Sequence, residues 1–145
     1  MSVWLALQTL EALNAASSGT MLRPLEIVFT EIGDDFIRAT MPVDERTRQA
    51  YGLLHGGASV ALAETLGSTA ANMCVDRSRY VCLGQEINAN HVRPARSGSV
   101  TGTARPLHIG KRSQVWSIDI TDQAGQLVCV SRLTMAVLEK GVIGL

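Results

Sequence analysis

Apolar positions recur at helical spacing near the N-terminus, alternate strand-fashion over most of the chain, and merge into one continuous run in the middle. Leu7, Leu10 and Leu13 fall close to one turn apart, which predicts a short amphipathic helix over residues 6–16, stopped by Ser17-Ser18-Gly19. From Leu25 to Val43 the rhythm becomes that of a hairpin. Leu25, Ile27 and Phe29 lead up to Gly33-Asp34-Asp35, and Ile37, Ala39, Met41 and Val43 lead away from it. Pro42 and the polar run Asp44–Gln49 then leave the sheet. Beyond the solvated turn Asp76-Arg77-Ser78-Arg79, four more strands are predicted, over Tyr80–Arg93, Ser99–Leu107, Gln114–Thr121 and Leu127–Leu138. Trp116, Ile118 and Ile120 share one face of the third of these, with Ser117 and Asp119 on the other. Residues 139–145 read as a short tail.

The continuous run is the segment around which the rest is arranged. Between Gln49 and Val75 the only formally charged side chain is Glu64, and the stretch is crowded with Gly56, Gly57, Ala58, Ser59, Ala61, Ala63, Gly67 and Ser68. A helix so thin and apolar is expected to be enclosed on nearly all sides. Its glycines suit close approach of neighbouring elements better than they suit helix propensity. A lone carboxylate inside it needs a partner, a raised pKa or a pocket. Ser68, four residues on, shares its face. His55-Gly56-Gly57 opens the helix, where the first amides lack intrahelical partners and can receive an anion or a developing oxyanion.

The order is helix, two strands, one long buried helix, four strands. Strands joined by tight turns form an antiparallel sheet, and the single helix between them must cross one face of it, so the class is α+β. At 145 residues the chain is expected to be one domain, 1–145, without repeats or linkers. Thirteen basic residues against thirteen acidic give no reason to expect nucleic acid or an anionic membrane as partner. No run has the length of a membrane span and the N-terminus lacks the build of a signal peptide, which with three unpaired cysteines, Cys74, Cys82 and Cys129, points to the cytoplasm.

The combination of Gln49, Gly52-Leu53-Leu54-His55-Gly56-Gly57, Ala63-Glu64 and Asn88-Ala89-Asn90-His91 resembles the hotdog-fold acyl-CoA thioesterases, in the branch that acts on aromatic acyl thioesters. The resemblance covers about Leu10 to Leu138. It implies a curved antiparallel sheet wrapped around one long central helix, and hydrolysis of acyl-CoA to acid and CoA without metal or organic cofactor. By the same resemblance Glu64 is general base or nucleophile, the Gly56 amide polarises the thioester carbonyl, Gln49 and His55 contact the substrate, and Ser68 supplies a hydroxyl. Gly84 and His91-Val92-Arg93-Pro94 line the substrate site. Within Pro106–Ser113, the residues His108, Ile109, Gly110, Lys111, Arg112 and Ser113 form the loop for the CoA nucleotide. Gln85 departs from the apolar residue usual at its position.

Each residue has a plainer reading as well. Glu64 could hold a structural hydrogen bond and His55 could cap the helix. His91, which follows Val81, Leu83, Ile87 and Ala89 in parity, could be a satisfied inward histidine, and the loop cations and Arg93 and Arg96 could be merely solvated. Gly56 and Glu64 lie eight residues apart, roughly 12 Å along a helix, so they cannot both act on one carbonyl from one chain. A homodimer with shared active sites is therefore expected, as in the resembled family, with a homotetramer beyond it. The carrier is CoA or an acyl carrier protein. Two other functions compete: a hotdog dehydratase, whose His-Phe-Pro signature is missing, and a non-catalytic acyl-CoA-binding domain, which should lack a carboxylate at position 64.

Overall fold

In the computed structural model, which describes residues 1–144, the first helix is α1 (Leu10–Ala16). It begins there because the Thr9 hydroxyl accepts the Ala12 N–H at 3.2 Å and caps it. The helix expected from residue 6 is thus shorter by a turn. Leu5 and Ala6 instead donate their backbone N–H groups to Met73 O, both at 2.9 Å, which leaves Leu7 exposed and only Leu13 of the three leucines buried. This arm is docked by Trp4, whose indole N–H donates to Gly33 O at 2.7 Å and whose ring stacks on buried Trp116 with centroids 6.2 Å apart.

A second helix, α2 (Leu22–Leu25), stands where the first hairpin strand was expected to begin. Its proline, Pro24, falls in the first turn, where the missing N–H costs nothing. Glu26 ends it in the left-handed region at φ 54°. The strands are β1 (Val28–Ile32), β2 (Ile37–Pro42), β3 (Tyr80–His91), β4 (Ser99–Ile109), β5 (Ser113–Asp122) and β6 (Leu127–Glu139). The central helix is α3 (Gly56–Met73), and α4 (Lys140–Ile143) replaces most of the expected tail, whose last residue, Leu145, lies outside the described residues. All strand pairs are antiparallel, in the order β1-β2-β4-β5-β6-β3.

Helix α3 buries Leu62, Ala63, Leu66, Ala70 and Ala71 against the inward residues of the sheet, among them Met41, Trp116, Ile118 and Leu133. Gly67 is a close-approach position: a methyl group there would sit 2.5 Å from Leu133 Cδ2. Enclosure is nevertheless one-sided. Gly57 is exposed, and Val60, Ala61, Glu64, Thr65 and Ser68 are only half-buried, so the expectation of a helix surrounded on nearly all sides fails within a single chain. Strands β2 to β6 cover one face of α3, and α2 reaches only part of the other.

Two side-chain amides, half-buried Asn72 and buried Gln114, fix the helix to the sheet. Asn72 Nδ2 donates to Cys82 O at 3.0 Å while its Oδ1 accepts Cys82 N–H at 2.9 Å, in the way a neighbouring strand would. Gln114, fully buried, donates to Ala71 O at 3.3 Å and accepts the Trp116 indole N–H at 3.0 Å. These ties hold the C-terminal half of α3 over β5 and over β3, the latter an edge of the sheet in spite of its 12 residues.

Candidate active site

Strand β3 carries the irregularity that shapes the site. Its pairing with β6 slips between Gly84 and Glu86, so Gly84 faces Met135 and Glu86 faces Thr134, with Gln85 the extra residue. Before the bulge Cys82 and Gly84 point at the helix; after it Ile87, Ala89 and His91 do. The uniform parity expected from Val81 through His91 is corrected by this slip, which leaves Leu83 exposed. The departure noted at Gln85 is thus an exposed bulge residue.

Gly84 meets Glu64. A methyl group on Gly84 would lie 2.3 Å from Glu64 Oε1, so the carboxylate rests directly on bare backbone of β3. Burial raises the Glu64 pKa, and no hydrogen bond or neighbouring charge opposes the shift. The structural hydrogen bond that would have explained Glu64 plainly is therefore missing among the described residues. Glu64 and Ser68 line one cleft of about 530 Å³ together with Gly57, Val60, Thr65 and, from the start of α2 and the residue before it, Leu22 and Met21. Sequence patterning gave no sign of these last two, because a four-residue helix has no period to detect. Arg46 helps to hold α2 in place. It pairs with Glu26 at the end of that helix and with Asp44 at the start of the loop before α3, both at 2.5 Å. The hydrogen bond from the Arg46 side chain pulls the Asp44 carboxyl down to about 2.

The start of α3 lies in a different cleft, of about 340 Å³, lined by Gln49, Gly56, Ser59, His91, Val92, Arg93 and Pro94 among others. The His91 ring packs on Gly56, where a methyl group would meet Nε2 at 2.8 Å. His55 is the N-cap of α3: its Nδ1 accepts the Gly57 N–H at 2.8 Å, and its backbone N–H donates to Thr47 O at 2.7 Å. Gln49 is held by its neighbours, with Oε1 accepting the Tyr51 N–H. Ser59 was not singled out from the sequence, although a hydroxyl one turn beyond Gly56 in an apolar helix was visible there.

The third group stands apart. Strand β4 runs to Ile109 and β5 begins at Ser113, so His108, Ile109 and Ser113 are strand residues and only Gly110, Lys111 and Arg112 remain of the expected loop. His108 folds over Gly110, and the exposed Lys111 and Arg112 enter no ion pair among the described residues. Through the ladder, His91 is level with Cys129, Ile120 and Gly102, and Gly110 lies eight residues further along β4, about 25 Å away. One chain thus presents the expected residues in three separate places. Among the described residues no cluster of three His, Cys, Asp or Glu side chains forms, and no helix is long and apolar enough to cross a membrane.

Comparison with known proteins gives this arrangement a context. The model of the thioesterase superfamily matches residues 51–129, a span holding α3 and the four strands that follow it, up to Cys129. The chain is 57% identical over 136 residues to the 1,4-dihydroxy-2-naphthoyl-CoA hydrolase of Escherichia coli K12, covering 94% of this chain and 99% of that one. It is 53% identical to the proofreading thioesterase EntH of Cronobacter sakazakii, with 94% and 98% covered. A crystal structure of a mutant thioesterase from Pseudomonas aeruginosa superposes with a TM-score of 0.94 at 48% identity, covering 95% of this chain and 99% of that one. The chain belongs to the thioesterase superfamily, has the hotdog fold in its α+β form, and is a thioester hydrolase.

Proposed function

We propose that the chain hydrolyses acyl-CoA thioesters carrying aromatic acyl groups, in sites completed by two copies of itself. The observation that carries this reading is the Glu64 carboxylate: half-buried, without a hydrogen-bond partner among the described residues, raised in pKa, and resting on Gly84 in an open cleft. The aromatic acyl group rests on the named substrate of the relative at 57% identity. The Gly56 amide polarises the carbonyl. Either Glu64 takes a proton from water as the new C–O bond forms and returns it to sulfur as the C–S bond breaks, or its carboxylate attacks the carbonyl carbon, expelling CoA as a thiolate that takes a proton from solvent, and water then hydrolyses the mixed anhydride to the acid and free Glu64.

The edge strand suggests how the three groups meet. β3 offers a 12-residue row of backbone donors and acceptors to a second copy. Antiparallel pairing about a two-fold axis near Ile87 and Asn88 would set Gly84 of one chain beside His91 of the other. Glu64 of one copy and Gly56 of the other would then flank one carbonyl. The Tyr80 end of one β3 would come alongside Pro94 of its mate, bringing the Lys111–Arg112 turn toward Arg93 and giving CoA phosphates a cationic lining. The three buried free thiols suit a reducing, cytoplasmic setting.

The test is thiol release from a panel of aroyl-CoA and straight-chain acyl-CoA esters, run beside hydration of an enoyl-CoA. Release of CoA fastest from aroyl esters, with no hydration, is the expected result. Hydration without thiol release would favour a dehydratase, and binding without either reaction would favour a non-catalytic acyl-CoA-binding domain.

A further inference from the structure

Ser59 is 1% exposed, and its Oγ is the one buried side-chain polar atom without a hydrogen-bond partner among the described residues. A helical serine ordinarily returns its hydroxyl to the carbonyl four residues back. Here that carbonyl, His55 O, already accepts the Ala58 N–H at 3.0 Å and the Ser59 N–H at 3.2 Å. A buried hydroxyl left unpaired is destabilising, so its retention in an apolar helix calls for a use outside the helix.

Backbone donors at the start of α3 are partly taken. Of the two glycine amides that open α3, Gly57 N–H is taken by His55 Nδ1. Gly56 N–H alone has no acceptor among the described residues. A carbonyl oxygen that gains charge in a tetrahedral intermediate is stabilised best by several converging donors. Ser59 lies three residues after Gly56, on the same side of the helix, and lines the same cleft. We propose that the Ser59 hydroxyl is a second hydrogen-bond donor to the thioester carbonyl oxygen, beside Gly56 N–H. Its proton rotates freely and needs no tautomer to be set, and the helix N-terminus adds its positive end to the same point. The proposal rests on the thioesterase reading for the identity of the carbonyl.

The test compares the wild type with Ser59→Ala on three compounds: an aroyl-CoA, its ketone analogue with CH₂ in place of sulfur, and a thioether lacking the carbonyl. The expected result is a fall in kcat of roughly 10- to 100-fold on the ester, the lower part of the range for losing one oxyanion donor. The ketone should bind about 3- to 10-fold more weakly and the thioether as before. The thermal midpoint should hold or rise, because an unpaired buried hydroxyl has gone. Wild-type affinity for the ketone in Ser59→Ala, or equal losses on ketone and thioether, would overturn the proposal. If the wild type hydrolyses no ester, the difference between ketone and thioether still reads the contact, which separates the failure of one idea from that of the other. A wild-type chain that binds neither analogue would overturn both.

Discussion

The two clefts along α3 are opposites. The one at the helix start is bound up in hydrogen bonds: His55 caps Gly57, Gln49 is held by Tyr51, and His91 packs on Gly56. It offers a helix dipole and backbone N–H, groups that need no proton to move. The cleft at mid-helix holds a carboxylate with no hydrogen-bond or ion-pair partner among the described residues, pressed on a glycine of an irregular edge strand. In the proposed mechanism the first receives developing negative charge and the second supplies the base or nucleophile. Eight residues of helix keep the two roughly 12 Å apart, so the dipole cannot drain the charge from the base within one chain. On the proposed reading a second copy brings the opposite ends together over one substrate, so turnover would depend on assembly.

Removing the carboxylate is the most severe way to break this contrast. Glu64→Gln keeps the volume but loses base and nucleophile, so kcat should fall at least about 10²-fold with KM little changed. The wild-type rate should rise with pH through a limb lying above the usual carboxylate range, since burial raises the Glu64 pKa, and residual activity in the variant should lack that limb. Stability has the matching sign. The folded chain binds the Glu64 proton more tightly than the unfolded one, so this group's contribution declines as pH rises from the ordinary carboxylate pKa to the raised one. Glu64→Gln should therefore melt no lower than wild type at neutral pH. A well-folded variant with wild-type kcat on its best aroyl-CoA would sink the mechanism.

Mixing subunits sharpens the same contrast. Glu64→Gln chains exchanged with chains carrying Gly56→Val, which drives a side chain into His91, should regain roughly a quarter of wild-type activity. Half of the dimers would be mixed, each with one intact site of two. No recovery after verified exchange would argue against shared sites. A milder change is Gly84→Ala. Its methyl group would displace the flexible end of Glu64 rather than backbone, so the fold should survive while kcat drops on the order of 10-fold from a misplaced base. An unchanged kcat would mean that contact with β3 does not aim the carboxylate.

The same division explains what could be read from sequence. The inner strands alternate cleanly because each is paired on both sides and buried on one face, so Trp116, Ile118 and Ile120 announced theirs and are fully buried. Glu64 stood out as the one charge in an apolar run. The edge strand was read with one parity throughout, because a bulge adds a residue without altering composition, and Gly84 was not recognised as the seat of Glu64. Helix α2 escaped for want of length. The start of α1 was misplaced because Leu7 fits the helical period while the N-terminal arm pairs with the end of α3. Backbone hydrogen bonds that depend on distant partners leave no periodic trace.

The mildest intervention leaves both clefts intact and touches the third group. Lys111 and Arg112 are exposed and without ion pairs among the described residues, so they contribute little to folding and are open to phosphate. Replacing both with Ala should raise KM for aroyl-CoA by roughly 3- to 10-fold and leave kcat nearly unchanged, the pattern of lost uniform binding. Added salt should raise the wild-type KM in the same direction and affect the variant less, because screening acts on charges the variant no longer has. A pantetheine thioester has the acyl group and thioester but no nucleotide, and the double variant should turn it over like wild type. Equal losses on the two substrates would assign the pair to packing of the β4–β5 turn, whose backbone already ties β6 through Val137 N–H to Arg112 O at 2.9 Å.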